Sequence, residues 1–230
     1  MKFNHCLFIV VFTLLLPSSL YAQTVMKGRV IFEGTPPAVE KVEVKSDIPT
    51  CGATKEVRKI VLGADQGVAN AVVRIIGAQG EPKLTEGPLD QVNCEFKPHV
   101  QVLPAGSTIK LTSEDPVLHN AHGFYEDGST AFNIAVPIAG MEVPIKLKQP
   151  GVIKLRCDAG HTWMNAYIVA VDSPYYALTD ADGNFSIESV PPGTYEIEVW
   201  QEWLGKHREP IVIKEGETAP VTITLKQSLT

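Results

Sequence analysis

Along most of this chain apolar positions recur every second residue, and the i, i+3, i+4 spacing of a long helix is almost absent. Met26–Phe32, Val39–Val44, Ala69–Ile76, Val100–Leu103, Ser107–Leu111 and Val143–Leu147 read as short strands. So do Val152–Cys157, Asn165–Val171, Phe185–Ile187, Tyr195–Trp200, Pro210–Lys214 and Val221–Leu225. Between them lie turn sequences such as Pro104-Ala105-Gly106-Ser107, Gln149-Pro150-Gly151, Asp180-Ala181-Asp182-Gly183-Asn184 and Pro191-Pro192-Gly193-Thr194. Proline there presets φ, and glycine supplies positive φ. Many short strands separated by tight turns predict an all-β chain built from one or two β-sandwiches.

The start of the chain departs from that pattern. Residues 1–22 carry Lys2, an apolar run from Cys6 to Leu16, then Pro-Ser-Ser and a small residue at Ala22. This is the layout of a secretory signal peptide, with cleavage expected after Ala22 and a periplasmic or secreted destination. The run is too short for a transmembrane helix, and no later stretch could span a bilayer. The 230 residues are 44% hydrophobic and 20% charged, enough apolar material for a substantial core. A formal net charge of −6 argues against nucleic acid as a partner and leaves no polybasic membrane patch.

Export changes how the four cysteines are read. Removing Cys6 with the leader leaves Cys51, Cys94 and Cys157. An odd number in an oxidising compartment implies a free thiol, an intermolecular bridge or a metal ligand. Cys51 and Cys94 sit in loop-like contexts and can pair, which leaves Cys157 alone.

Cys157 ends the Val152–Cys157 strand on the face of Ile153 and Leu155, while Lys154 and Arg156 point the other way. The next residues read Cys157-Asp158-Ala159-Gly160-His161-Thr162-Trp163-Met164, and Met164 shares a face with Ala166 and Ile168 of the following strand. One tight loop therefore gathers a thiol, an imidazole and a thioether. Upstream, Leu118-His119-Asn120-Ala121-His122 follows the Ser107–Leu111 strand after a polar turn and offers a second imidazole. A soft thiolate, two imidazoles and a weak thioether form the donor set of a blue-copper electron-transfer site.

These residues resemble the cupredoxin family over residues 91–172. Phe96-Lys97-Pro98-His99-Val100 and the Pro104 to Ser107 turn are similar to that family's strand lead-ins. The resemblance implies one mononuclear copper held by Cys157, His119 and His161, with Met164 as axial ligand. It implies that Asn120 braces the loop carrying Cys157 by hydrogen bonds, and that a redox partner such as a c-type cytochrome exchanges electrons. The loop also resembles the binuclear copper domain of cytochrome oxidase subunit II, but Ile153 stands where that site needs its second cysteine.

Two further histidines keep alternatives open. His122 or His99 as an extra ligand would favour a non-blue copper centre, or a Cys/His3 zinc site. The bland reading makes each a polar surface position. Trp163 is either core filler or a shield beside His161. Glu188, Glu196 and Glu198 alternate with apolar residues and read as a solvated strand face, and Asp180 and Asp182 as turn residues.

A second resemblance lies toward the C-terminus. Thr179-Asp180-Ala181-Asp182-Gly183-Asn184-Phe185, followed by Val190-Pro191-Pro192-Gly193-Thr194-Tyr195, is similar to the carboxypeptidase regulatory-like domain, a transthyretin-like sandwich. In that family a strand like Gly67–Val73 lies shortly before the Asp-Gly hairpin, whereas here a long stretch intervenes. The expected organisation is a leader at 1–22, a transthyretin-like sandwich from 23–79 and 173–230, and a cupredoxin-like copper domain at 80–172 inserted between them. Ala69–Ile76 as first strand of the middle domain is the alternative.

The functional expectation is an exported copper protein that carries electrons. A copper carrier, storage or tolerance protein, a small copper enzyme with an open position, and a metal-free sandwich used for surface contact are the competing classes. No Ser-His-Asp arrangement, phosphate-binding glycine loop or His-Glu-x-x-His stretch supports a hydrolase or nucleotide enzyme.

Overall fold

The computed structural model describes residues 24–216 and 220–227. The expected signal segment lies outside the described residues. Those residues form eighteen strands, one four-residue helix at Ile48–Cys51 and a 3-10 turn at Ala64–Gln66. The fold is all-β, as the period-two pattern predicts, and consists of two sandwiches.

The first sandwich has a five-stranded sheet ordered Thr130–Val136, His119–Tyr125, Gly151–Arg156, Asn165–Val171, Val100–Pro104. The opposing sheet is ordered Val143–Lys146, Thr108–Ser113, Glu86–Gln91, Phe96–Lys97. Leu89, Ile109, Leu111, Ile153, Leu155 and Ile168 fill the space between them. Pairing is mixed. Asn165–Val171 runs parallel to Val100–Pro104, and Glu86–Gln91 parallel to Thr108–Ser113, so the chain crosses between the sheets instead of meandering in one.

The second sandwich opposes a three-stranded sheet, Asn184–Glu188, Val25–Glu33, Val221–Lys226, to a four-stranded one, Tyr176–Leu178, Val72–Ile76, Gly193–Gln201, Gly205–Ile213. Val30, Val73, Ile75, Ile197, Val199 and Ile223 form its centre. Val72–Ile76 pairs with both Tyr176–Leu178 and Gly193–Gln201. Val72–Ile76 is therefore an interior strand of the four-stranded sheet.

A third apolar cluster joins the two. Val152, Val169 and Val171 point away from the first core and meet Val72 and Trp200 of the other sandwich. Burial on both faces explains why Asn165–Val171 reads as an almost continuous apolar run. His99 Nε2 and Glu202 Oε1, 2.7 Å apart, and Lys206 Nζ and Glu126 Oε2, 2.6 Å apart, add polar links across this boundary.

Three sequence expectations change. Residues 40–57, expected in the transthyretin-like half, form a hairpin (Glu40–Glu43 with Thr54–Val57), and Val44 and Cys51 bury in the first core. The cause is covalent as well as apolar, because Cys51 is bonded to Cys94. Glu198 is not solvated: it is 1% exposed and held by Arg74 and Arg208. Finally, His119–Tyr125, Thr130–Val136 and Glu86–Gln91 are strands that the apolar pattern did not reveal. In His119–Tyr125 the inward positions after His119 are Ala121 and Gly123, too small to register as an apolar alternation. A Cβ at Gly123 would sit 2.9 Å from Ile153 and 3.0 Å from the Phe132 ring, so close packing requires the glycine there.

Candidate metal centre

The strand ending at Arg156 delivers Cys157 at the edge of the first core, where the thiol is 5% exposed. The chain then turns through Gly160, which has φ +96°. His161 follows, and the Met164 backbone N–H donates to the His161 carbonyl at 2.9 Å, closing the loop. Met164 is buried in the same cluster as Cys157 and Trp163. His119 opens the strand paired directly with Gly151–Arg156, and Asn120, Ala121 and His122 follow in alternation.

His119 and His161 are both fully buried. Their Nδ1 atoms are 3.1 Å apart, and the Cys157 sulfur lies 3.7 Å from His161 Nδ1. The donor atoms of His119, Cys157 and His161 all fall within 4.8 Å of one another. Two ring nitrogens and a sulfur thus converge beneath the surface, an arrangement that accommodates a shared proton or a metal cation.

The outer edges of both rings are occupied. His119 Nε2 lies 2.8 Å from Asp115 Oδ2, and His161 Nε2 lies 2.9 Å from Asp47 Oδ2. Neither aspartate was singled out from the sequence. Trp163 packs its ring 5.3 Å from that of His161 and donates Nε1–H to the Cys94 carbonyl at 2.9 Å. It therefore fills the core and flanks the imidazole at once.

Burial sets the electrostatics. Desolvation pushes the Cys157 thiol above its ordinary pKa, against the smaller opposing effect of hydrogen bonds from the backbone of Ala159, Asn120 and His161. Desolvation also lowers the pKa of His119, which outweighs the pull of Asp115 in the other direction. A neutral imidazole is the form that binds metal, whereas the thiol must lose its proton to do so.

Asn120 Oδ1 accepts the backbone N–H of Asp158 at 3.1 Å, and its amide donates to Asn133 Oδ1 at 2.5 Å. His122 points to the opposite face of the strand, with Nδ1 2.5 Å from Asp158 Oδ2 and its ring against Phe124. His99 lies at the boundary between the sandwiches, bonded to Glu202 and edge-on to Tyr167. Both histidines are thus placed outside the group formed by His119, Cys157 and His161. Cys51 and Cys94 are bonded, with Cα atoms 5.1 Å apart at a sequence separation of 43, and Cys157 is free. Asp180 acts as a turn residue: its carboxylate accepts the backbone N–H groups of Asp182 and Asn184 at 2.9 and 2.8 Å.

Residues 155–226 match the family model of the carboxypeptidase regulatory-like domain. The match begins within the strand that precedes Cys157, so that family's sequence pattern runs from one sandwich into the other. No curated protein sequence matches the chain. Among solved structures it is similar to a purple cupredoxin from Nitrosopumilus maritimus (21% identity, 38% of this chain and 100% of that one, TM-score 0.33). Amicyanin from Paracoccus versutus (10% identity, 43% and 97%, TM-score 0.33) is another. Auracyanin from Roseiflexus castenholzii (13% identity, 40% and 99%, TM-score 0.31) is a third. Among the described residues, no helix is long and apolar enough to cross a membrane.

Proposed function

We propose that this is an exported copper protein that carries electrons through a mononuclear site built from His119, Cys157, His161 and Met164. The observation that carries this reading is the convergence of the buried His119, Cys157 and His161 side chains, with one donor atom from each within 4.8 Å of the others. The donor types fit copper. A thiolate and two imidazoles accept both Cu(I) and Cu(II), and a buried thioether is a weak fourth donor suited to a redox ion. Bound there, copper would supply a one-electron couple with little rearrangement.

The chain's own residues do the rest. Cys157 gives up its proton on binding metal, and burial makes that proton loss unfavourable without a cation. His119 is held neutral by its surroundings and offers Nδ1. The sheet strands on either side of the loop fix the donors before metal arrives, and Ile153, Leu155 and Ala166 keep water away from the sulfur side. The organisation proposed is a copper sandwich at residues 80–172 carried within a transthyretin-like sandwich, with 40–57 assigned to the copper side. The partner is proposed as a soluble redox protein, such as a c-type cytochrome.

The test is a Cu(II) titration of the chain from Gln23 onward, followed by visible and EPR spectroscopy, with Cys157→Ala as control. One equivalent of copper with an intense thiolate-to-copper band, lost in the control and bleached reversibly by ascorbate, is the expected result. Tight binding with no reversible bleaching would assign the protein to copper carriage or storage. Weak absorption with tetragonal EPR would make the site a non-blue copper centre and overturn the electron-carrier reading. Absence of stoichiometric uptake would overturn the metal reading.

A further inference from the structure

The geometry points to Asp47 and Asp115 as paired positioning residues that fix both imidazoles with Nδ1 inward and weight the site toward its oxidised, more highly charged metal state. Its redox half rests on the copper reading proposed above, and its positioning half does not.

Each imidazole has two nitrogens, and the bond made by one determines what the other can do. Here the Nε2 atom of each ring is bound to a carboxylate, Asp115 at 2.8 Å and Asp47 at 2.9 Å. A carboxylate only accepts, so both Nε2 atoms carry hydrogen. In a neutral ring Nδ1 is then the lone-pair nitrogen; the two Nδ1 atoms lie 3.1 Å apart with the thiol sulfur 3.7 Å from that of His161, so a proton shared between them leaves both Nε2–H groups in place. A carboxylate behind an imidazole raises its basicity as a ligand, which favours the higher charge state of the bound ion.

The two carboxylates arrive from parts of the chain remote in sequence, and a single covalent bond ties those parts together. Asp47, at φ 55° and ψ 28°, heads the short helix Ile48–Cys51, and its carbonyl accepts the Cys51 N–H at 2.8 Å. Asp115 accepts the backbone N–H groups of Asn93 and Cys94, both at 2.7 Å. Cys51 and Cys94 are the disulfide partners, and their sulfurs lie within 4.8 Å of a His161 ring nitrogen. The turn presenting Asp47 and the turn anchoring Asp115 are therefore clamped to each other beside the metal pocket. The two braces differ in kind. Asp115 is 4% exposed and spends both oxygens on the fold, whereas the Asp47 side chain is 39% exposed and reaches in from the rim.

Asp47 is accordingly the position to test, because its removal leaves the core intact. Asp47→Asn keeps an oxygen that can accept Nε2–H and removes the charge. Asp47→Ala removes both, and Asp47→Glu restores the charge. With 15N-labelled histidine, the metal-free chain is expected to show Nε2-bound protons on both His119 and His161. In Asp47→Ala that preference should vanish for His161 alone. In the copper-loaded protein, Asp47→Asn is expected to shift the Cu(II)-to-Cu(I) affinity ratio about tenfold toward Cu(I), a rise of about 59 mV for one electron. Asp47→Glu should recover most of it.

A His161 that carries no proton on Nε2 in the native chain, or an unchanged tautomer in Asp47→Ala, would overturn the positioning role whether or not copper binds. A locked tautomer with an unchanged potential in Asp47→Asn would overturn the charge effect. Failure to bind copper at all would remove the proposed function and the redox half together, leaving the tautomer measurement to decide the positioning half by itself.

Discussion

Asn120 and Asp158 join the two strands that supply the candidate ligands: the Asn120 side-chain oxygen accepts the Asp158 backbone N–H at 3.1 Å. Asn120 follows His119 directly, and Asp158 follows Cys157 directly, so one hydrogen bond fixes the spacing between an imidazole and the thiol. Replacing Asn120 by Ala should cost about 1 kcal/mol of stability, the net value of one such bond. The more specific outcome is faster hydrogen exchange at the Asp158 amide, with core amides such as that of Ile153 little changed. Equal loss of protection throughout the sandwich would show that Asn120 acts on the whole fold.

The Cys51–Cys94 bond closes a loop of 43 residues. On the chain-entropy account it stabilises the native state by about 4 kcal/mol. The double variant Cys51→Ala/Cys94→Ala should therefore lower the urea midpoint strongly, and addition of a thiol reductant should then have no further effect on it. A reductant-sensitive midpoint in the double variant would point to a pairing that involves Cys157.

Glu198 gives the fold a dependence on acid. Burial pushes its carboxyl upward, but Arg74 and Arg208 outweigh burial and hold it below the ordinary glutamate value. A carboxylate with a lower pKa in the folded state stabilises the fold above its unfolded pKa and loses that contribution as the pH falls through the folded one. Thermal stability should accordingly fall as the solution is acidified below about 4.3, the unperturbed glutamate range. Glu198→Gln should be less stable at neutral pH and show a flatter profile on acidification. Parallel profiles for the two proteins would show that another carboxylate controls the acid limb.

His99 acts in the opposite sense at the boundary between the sandwiches. Desolvation would lower its pKa, yet the hydrogen bond and charge of Glu202 raise it above the usual histidine value. The contribution of this pair is complete below about pH 6.5 and is lost as the pH rises through the elevated folded value. His99→Gln should thus be destabilised more at pH 6 than at pH 9. An equal deficit at both values would assign His99 a packing role against Tyr167 only.

The loop of candidate ligands was legible because Cys157, His161 and Met164 follow closely on a strand whose alternation puts the thiol on the apolar side. The strand bearing His119 was not, since Ala121 and Gly123 carry too little apolar surface to mark a period of two. Asp47 and Asp115 left no local trace at all. Each sits in an irregular turn and reaches the imidazoles only through tertiary contact, Asp47 on the far side of a disulfide. Glu198 misled for a related reason: alternation identifies which residues share a sheet face, but it cannot say that a neighbouring strand supplies two arginines to that face. The turns at Asp182-Gly183 and Pro192-Gly193 were readable because such pairs encode a reversal of the chain directly, but each links strands of opposite sheets and not the two arms of a hairpin.

The strands Val72–Ile76 and Tyr176–Leu178 are hydrogen-bonded neighbours, with Arg74 opposite Tyr176, so the chain leaves one sandwich and re-enters it at almost the same place. Such a gate invites transplanting residues 80–172 into another host protein as a portable copy of the candidate metal centre. The excerpt would contain each donor atom assigned to the metal, yet it would leave behind the earlier excursion through residues 40–57. Cys94 would travel as an unpaired thiol in the same buried cluster as Cys157, and His161 would lose its carboxylate. A graft that is to keep the native site must carry two separate pieces of chain, which makes this centre the joint property of both excursions and not of a detachable cassette.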